Sequence, residues 1–185
     1  MQKVKRGQLI IRQGDSMAGV YFLYSGKVKV FLDGAKDQEQ IVRLTRKSEI
    51  IGHRGFGGKP QYPVSISALE ESVVCFIEKD LFLEILDTNP ELTKKMMFFF
   101  AEELRRSEHL MRKMARLSTT EKIADAILHL ADAFGFEADG KTLDISITRI
   151  DLASLAGTVP EVTSRTLANM QKENLVDLGV KKINI

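Results

Sequence analysis

From Glu91 to Phe134 the chain contains neither glycine nor proline, and this commits the middle of the molecule to helix. Glycine breaks a helix through its backbone entropy and proline through its missing N–H. Pro90 opens the run where a first helical residue belongs, and Asn89 precedes it as a cap. Along the helix Met97, Phe100, Leu104, Ser107, Met111 and Met114 recur at spacings of three and four, an apolar seam with a polar gap at Ser107. Such a seam packs either on the chain's own β elements or on a second copy. Because Met96 to Phe100 is apolar all round, that section is able to face a core and another helix together. This favours a homodimer with Met97, Phe100, Leu104, Met111 and Met114 at its interface. The sequence "STTE" at 118–121 has the form of a capping box, so one helix ends near Leu117 and another starts at Ser118. Ile123, Ile127, Leu130 and Phe134 give the second helix a buried face, and Gly135 stops it.

Ahead of the long helix the pattern changes. Short β-type segments, "QLII", "VYFLYSG", "KVKVFL", "QIVRL" and "VVCFI", alternate with Gly7, Gly14, Gly19, Gly26, Gly34 and a "GHRGFGG" loop. Close, regular turn signals of this kind predict a small barrel or sandwich. In "KVKVF", Val28 and Val30 point to one side and Lys27, Lys29 and Phe31 to the other, so one face is expected to be buried.

At the C-terminal end, Thr148 and Asp151 make another capping signature, followed by Leu152, Leu155 and Ala156 as an inner face and by Gly157 as a turn. Pro160 fits the first turn of the next helix. At about 100° per residue, Val159, Thr163, Thr166, Leu167 and Met170 fall on one side of that helix, and Glu161, Ser164, Arg165 and Ala168 on the other. A carboxylate accepts from cytosine N4, a guanidinium forks onto guanine O6 and N7, and a hydroxyl serves either kind of base edge. The outer trio therefore suits a DNA major groove. A solvated Glu161–Arg165 pair, worth a few tenths of a kcal/mol, is the simpler alternative for these residues taken alone. After the helix, "NLVDLGVKKINI" offers two short strands around Gly179, with Lys181 and Lys182 placed as a wing beside backbone phosphates.

A net charge of +2 is too small to nominate nucleic acid by itself, so phosphate attraction has to be local. The single cysteine, Cys75, excludes a disulfide framework and an iron–sulfur cluster held by these residues alone. No run approaches the roughly 18 apolar residues of a membrane span, and no signal segment opens the chain, so the expectation is a cytoplasmic protein without membrane contact. "GFGGK" at 55–59 lacks the spacing of a phosphate-cradling loop. No nucleophile has a spaced base, so no catalytic residues, no metal ligands and no enzymatic activity are expected.

The segments "VYFLYSGKVKVF", "EIIGHRGF", "LEESVVCFIEKDLFLEILDTNPEL" and "TRIDLASLAGTVPEVTSRTL", in this order, resemble the CRP/FNR family of bacterial transcription regulators over essentially the whole chain. The resemblance implies an α+β fold: a double-stranded β-helix (jelly-roll-like) sensor at 1–88, a dimerisation helix at 89–117 and a winged helix-turn-helix at 118–185. It implies DNA contacts from Glu161, Ser164 and Arg165, which match a Glu-x-x-Ser-Arg reading motif, with Thr148, Thr158 and Lys181 completing the set. The implied target is double-stranded DNA carrying an inverted repeat of TTGAT-like half-sites, with RNA polymerase and an unidentified small-molecule effector as further partners. Pro160 stands where relatives carry a polar residue, which removes one phosphate contact. Gly52, His53, Tyr62, Ser107, Glu108 and Met111 fall at the positions of the effector pocket. Cyclic AMP is disfavoured there, because the family's acid for the ribose and its Arg-Ser for the phosphate are replaced by His53 and by Tyr62, Pro63 and Val64. Without a bidentate cation a buried phosphate loses charge-assisted bonds worth roughly 1.5–3 kcal/mol each. Haem is the remaining cofactor, with His53 and His109 nearest the pocket. It belongs to a second reading in which a haem- or small-molecule-based redox sensor acts through protein–protein contact.

Overall fold

The computed structural model describes residues 1–34 and 38–185. The first half forms β1 (Gln2–Val4), β2 (Leu9–Ile11), β3 (Gly19–Ser25), β4 (Lys27–Asp33), β5 (Glu39–Arg46), β6 (Ile50–Ile51), a 3-10 turn (His53–Phe56), β7 (Ser65–Ala68) and β8 (Ser72–Glu78). These strands make two antiparallel four-stranded sheets, in the orders β1-β8-β3-β6 and β2-β7-β4-β5. Gly26 links β3 to β4 with a φ of 92°, and a Cβ there would lie 2.2 Å from Ser72 Oγ, so the turn admits no side chain. The strands absent from the sequence reading are β1, β6 and β7. Each is short, and β7 reads Ser-Ile-Ser-Ala, which is strand only because it lies between β2 and β4 with all four residues buried.

Helix α1 (Lys79–Thr88) leads to the long α2 (Pro90–Arg116). Asn89 caps α2 by accepting from Leu92 N, and Pro90 is its first residue. Ser118 and Glu121 form a reciprocal capping box at the head of α3 (Thr119–Phe134). Then come α4 (Arg149–Ala156), α5 (Pro160–Lys172) and a two-stranded wing of β9 (Asp177–Leu178) and β10 (Ile183–Asn184).

Val28 and Val30 lie in the core of the β-roll, with Val20, Leu23, Ile51 and Val74. The opposite face of β4 is covered as well, which corrects the expectation of one buried face. Phe31, Ile41, Leu44 and Leu69 join Ile123, Leu130, Leu152, Leu155 and Leu167 in a single apolar core that runs from the β-roll into the C-terminal helices. A fully buried Leu, Ile or Phe contributes roughly 1.5–3 kcal/mol, so this junction is a structural core. Polar groups align it. Ser154 Oγ accepts from Ile41 N at 3.0 Å and donates to Glu39 O at 2.8 Å, and Gln40 Nε2 donates to Ser154 O at 2.7 Å. Lys29, nearly buried, bonds Asp151 Oδ1 at 2.8 Å and also pairs with Glu39. Burial alone would lower its ammonium pKa, but Asp151 and Glu39 outweigh that and raise it.

Replacing Ser154 with Ala leaves the Ile41 N–H and the Glu39 carbonyl without partners. Denaturant unfolding of Ser154→Ala should show a loss of about 1–3 kcal/mol; an unchanged midpoint would mean that α4 does not rest on β5 in solution.

Candidate nucleic-acid interface and sensor cleft

Thr148 caps α4 by accepting from Asp151 N at 3.0 Å, and its hydroxyl donates to Asp151 Oδ2 at 2.6 Å. Gly157 ends the helix in the left-handed region, with φ 65°, and a Cβ there would meet Met114 Sδ at 2.6 Å. The left-handed φ favours glycine here, and the absent side chain lets Met114 of α2 approach the turn. Pro160 begins α5, whose Thr163, Leu167 and Met170 are buried. Val159, assigned to the inner side from its spacing, is 39% exposed, because it precedes the first helical turn and does not follow the helical phase. Thr166 is half-buried.

Glu161, Ser164, Arg165 and Ala168 are all exposed on the outer side of α5. No ion pair joins Glu161 to Arg165 among the described residues, so both heads face solvent. Ser164 Oγ donates back to Pro160 O at 2.8 Å. Its proton is occupied within the helix, and the hydroxyl presents lone pairs outward as an acceptor. Thr158 is half-buried in the turn beside these residues. In the wing, Lys182 is paired with Glu137, whereas Lys181 is exposed, adopts φ 59° and has no ion pair among the described residues. Lys181 is thus the wing cation available to a phosphate.

On α2, Met97, Phe100, Leu104 and Met111 are exposed, at 59, 40, 62 and 64%. Met114 is half-buried, turned toward Gly157 and a cleft between α2, β5 and α3. That cleft, about 530 Å³, is lined by Arg43, Arg54, Glu103, Arg106, Ser107 and Lys113, among others. Of the residues assigned to an effector pocket, only Ser107 lines it. Gly52, His53 and Tyr62 are buried behind the wall, where Tyr62 Oη donates to Gly19 O at 2.7 Å and accepts from Gly19 N at 3.1 Å. Glu108 and Met111 point outward from α2. Glu108 falls on the exposed side next to Ser107, and Met111, one turn on from Ser107 along the same face, is exposed beyond the cleft.

The groups that do define the wall had no sequence signal, since they are single charges on three separate elements. Arg54 Nη2 donates to Glu103 Oε2 at 3.1 Å, with Arg43 Nη1 at 3.6 Å and His53 Nε2 at 3.7 Å from the same oxygen. Burial by itself would raise the Glu103 carboxyl; His53, Arg43 and Arg54 reverse this and hold it at about 2. His53 is 3% exposed, and neither ring nitrogen has a hydrogen-bond partner. Burial depresses its pKa, Arg43 and Arg54 add to the effect, and Glu103 opposes it. The ring packs edge-on against Phe99, with centroids 4.9 Å apart.

Residues 1–89 match the model described as cyclic nucleotide-binding domain, and residues 121–185 match the Crp-like helix-turn-helix domain. The transcriptional activator anr of Pseudomonas aeruginosa is 28% identical over 185 residues, covering 98% of this chain and 75% of that protein. The fumarate and nitrate reduction regulatory protein of Vibrio cholerae is 24% identical, with 98% and 73% covered. Among solved structures, FixK2 from Bradyrhizobium japonicum superposes with a TM-score of 0.86 at 17% identity, covering all of this chain and 90% of its own. The c-di-GMP responsive regulator CLP of Xanthomonas campestris superposes at 0.84 and 18% identity, covering 100% and 92%. The chain belongs to the CRP/FNR family of bacterial transcription regulators. As a member of this family it is a DNA-binding transcription regulator. Among the described residues no helix is long and apolar enough to cross a membrane.

Of the two histidines considered for haem, His53 is sealed beneath Phe99 and Phe100 and does not line the cleft, whereas His109 lies on an exposed turn of α2 that lines it. Among the described residues no three His, Cys, Asp or Glu side chains come together as a metal site.

Because His53 is held neutral in the fold, the unfolded chain takes up a proton that the native chain refuses as pH drops below about 6.5. The His53 contribution to stability is complete above that value and is lost below it, with a slope of at most about 1.4 kcal/mol per pH unit. Unfolding free energy should therefore fall as pH drops below about 6.5, and because burial depresses His129 as well and adds a slope of the same sign, His53→Phe should flatten part of it. An identical slope in the variant would assign the titration elsewhere.

Proposed function

We propose that this regulator reads an inverted repeat of TTGAT-like half-sites through Glu161, Ser164 and Arg165, and that the signal acting on its β-roll is not cyclic AMP. The supporting observation is that the three side chains share one exposed face of a helix whose other face is locked into the core. Arg165 takes guanine O6 and N7, Glu161 accepts from cytosine N4, and Ser164, its own proton engaged, accepts from an amino group. Thr158 and Lys181 flank the trio and meet phosphate, which fixes register without reading sequence, whereas the Thr148 hydroxyl has its one proton on Asp151 and acts as the α4 cap.

The exposed apolar residues of α2, Met97, Phe100, Leu104 and Met111, pair two copies so that two α5 helices reach half-sites about one DNA turn apart, roughly 34 Å. Met114 contributes to seating the reader domain instead. RNA polymerase is the partner through which bound dimers act on transcription. Against cyclic AMP stands the cleft wall, where Arg43 and Arg54 are already engaged with Glu49 and Glu103.

Arg165→Ala should remove most discrimination between such a repeat and a scrambled duplex, about 1–3 kcal/mol per half-site, while weak non-specific binding persists. Full discrimination in a competition assay would overturn the assignment. Lys181→Ala should weaken binding to all sequences alike and lower the salt slope by about 1. Leu104→Glu should convert the dimer to monomer in sedimentation; an intact dimer would place the interface elsewhere.

A further inference from the structure

In and just behind the wall of the cleft stand three cationic or potentially cationic groups from one strand and one 3-10 turn, Arg43 on β5 and His53 and Arg54 in the turn, and all three converge on one oxygen. That oxygen belongs to the chain itself. Glu103, on α2, is buried, and its Oε2 lies 3.1 Å from Arg54, 3.6 Å from Arg43 and 3.7 Å from His53. The remaining charges around it are matched. Arg43 Nη2 bonds Glu49 at 3.1 Å and its Nη1 donates to Ile50 O at 3.2 Å. Arg106 lies 3.5 Å from Glu103 Oε1 and 3.6 Å from Glu102 Oε1. With His53 neutral, the guanidinium groups of Arg43, Arg54 and Arg106 beside Glu103 are each paired with a carboxylate of the chain, and Lys122 is a lining cation with no ion pair among the described residues. A buried carboxylate stripped of its partners is far more costly than one kept paired.

We propose that Glu103 is the resident anion of the sensor cleft: a carboxylate on the dimerisation helix occupies, from within the chain, the position an anionic effector would take against Arg43, Arg54 and His53, and so holds the β-roll to α2 without a ligand. The consequence reaches the reader through the same helix. Roughly 15 Å further along α2, Lys113 bonds Asp125 of α3 at 2.5 Å and Met114 meets the Gly157 turn. Clamping α2 to the β-roll at Glu103 therefore sets where the reader domain is held. Glu103 acts through Arg43 and Arg54 as a positioning residue and does not touch DNA. The inference rests on the DNA-reading proposal above, which it deepens by making sequence-specific binding independent of an anionic ligand.

The test uses the full chain, unfolded in guanidinium and refolded so that any bound small molecule is removed, with binding to the inverted repeat and to a scrambled duplex followed by fluorescence anisotropy. Stripped wild-type protein should keep its discrimination. Glu103→Ala should lose about tenfold, within the range usual for coupling between sites. Acetate, which fits the vacated space, should restore it, whereas chloride at equal ionic strength should not. Glu103→Gln, which fills the space without charge, should lose discrimination and stay insensitive to acetate. Loss of discrimination in stripped wild-type protein, wild-type behaviour in both variants, or a defect that acetate does not repair would each overturn the proposal. Should Glu103→Ala fold poorly, its melting midpoint should rise with acetate more than with chloride, and equal responses would overturn the proposal equally. Selection from randomised duplexes with wild-type protein keeps the two ideas apart. A different selected sequence refutes the half-site assignment, and the Glu103 comparison is then made on that sequence.

Discussion

The edge of the second sheet is where this protein is held together. β5 is the last strand of its sheet, and an edge strand leaves N–H and C=O groups that seek partners. Ser154 of α4 answers two of them, the Ile41 N–H and the Glu39 carbonyl, while Phe31, Ile41 and Leu44 continue the apolar core of the C-terminal helices. Lys29, buried between Asp151 and Glu39, ties the first turn of α4 to the same strands. A reader domain seated in this way is not a module on a free tether. Its recognition helix points where the β-roll makes it point, and a regulator that has to present two such helices at a fixed separation needs that rigidity.

The long helix carries the second constraint. On one side its exposed methionine, phenylalanine and leucine residues face outward; on the other, Glu103 sits among arginines from the β-roll and Met114 against the reader's turn. One helix therefore carries the exposed apolar row proposed as the dimer seam, one wall of the cleft and a contact with the DNA-binding domain. The same helix that meets the β-roll at Glu103 touches the C-terminal domain at Lys113 and Met114.

Much of this was legible from local chemistry. Asn89, Ser118 and Thr148 cap the helices they precede, since an N-cap depends on a short polar side chain and its next three residues. Gly157 and Pro160 mark the turn for equally local reasons. The outward position of Glu161, Ser164 and Arg165 follows from helical periodicity once Leu167 and Met170 are buried. Periodicity failed at helix ends and wherever a second surface intervened. Val159 lies before the helix proper, Glu108 falls on the exposed side next to Ser107, and Met111 is exposed one turn beyond the cleft that Ser107 enters. Lys27 and Lys29 read as a solvent-facing row, yet Lys29 bonds Asp151 and Lys27 lies 3.1 Å from the Asp144 carboxylate, because the C-terminal domain returns to cover that face.

Sequence alone determined the order of elements, their caps and stops, and which side of the recognition helix is polar, since these depend on residues within a turn or two of one another. It did not determine that both faces of β4 are covered, or that Arg43, Arg54 and Glu103 meet. Those groups lie far apart along the chain and share no spacing rule. Only the folding of α2 and the C-terminal helices against the β-roll brings them into one low-dielectric space, where a charge must find its opposite.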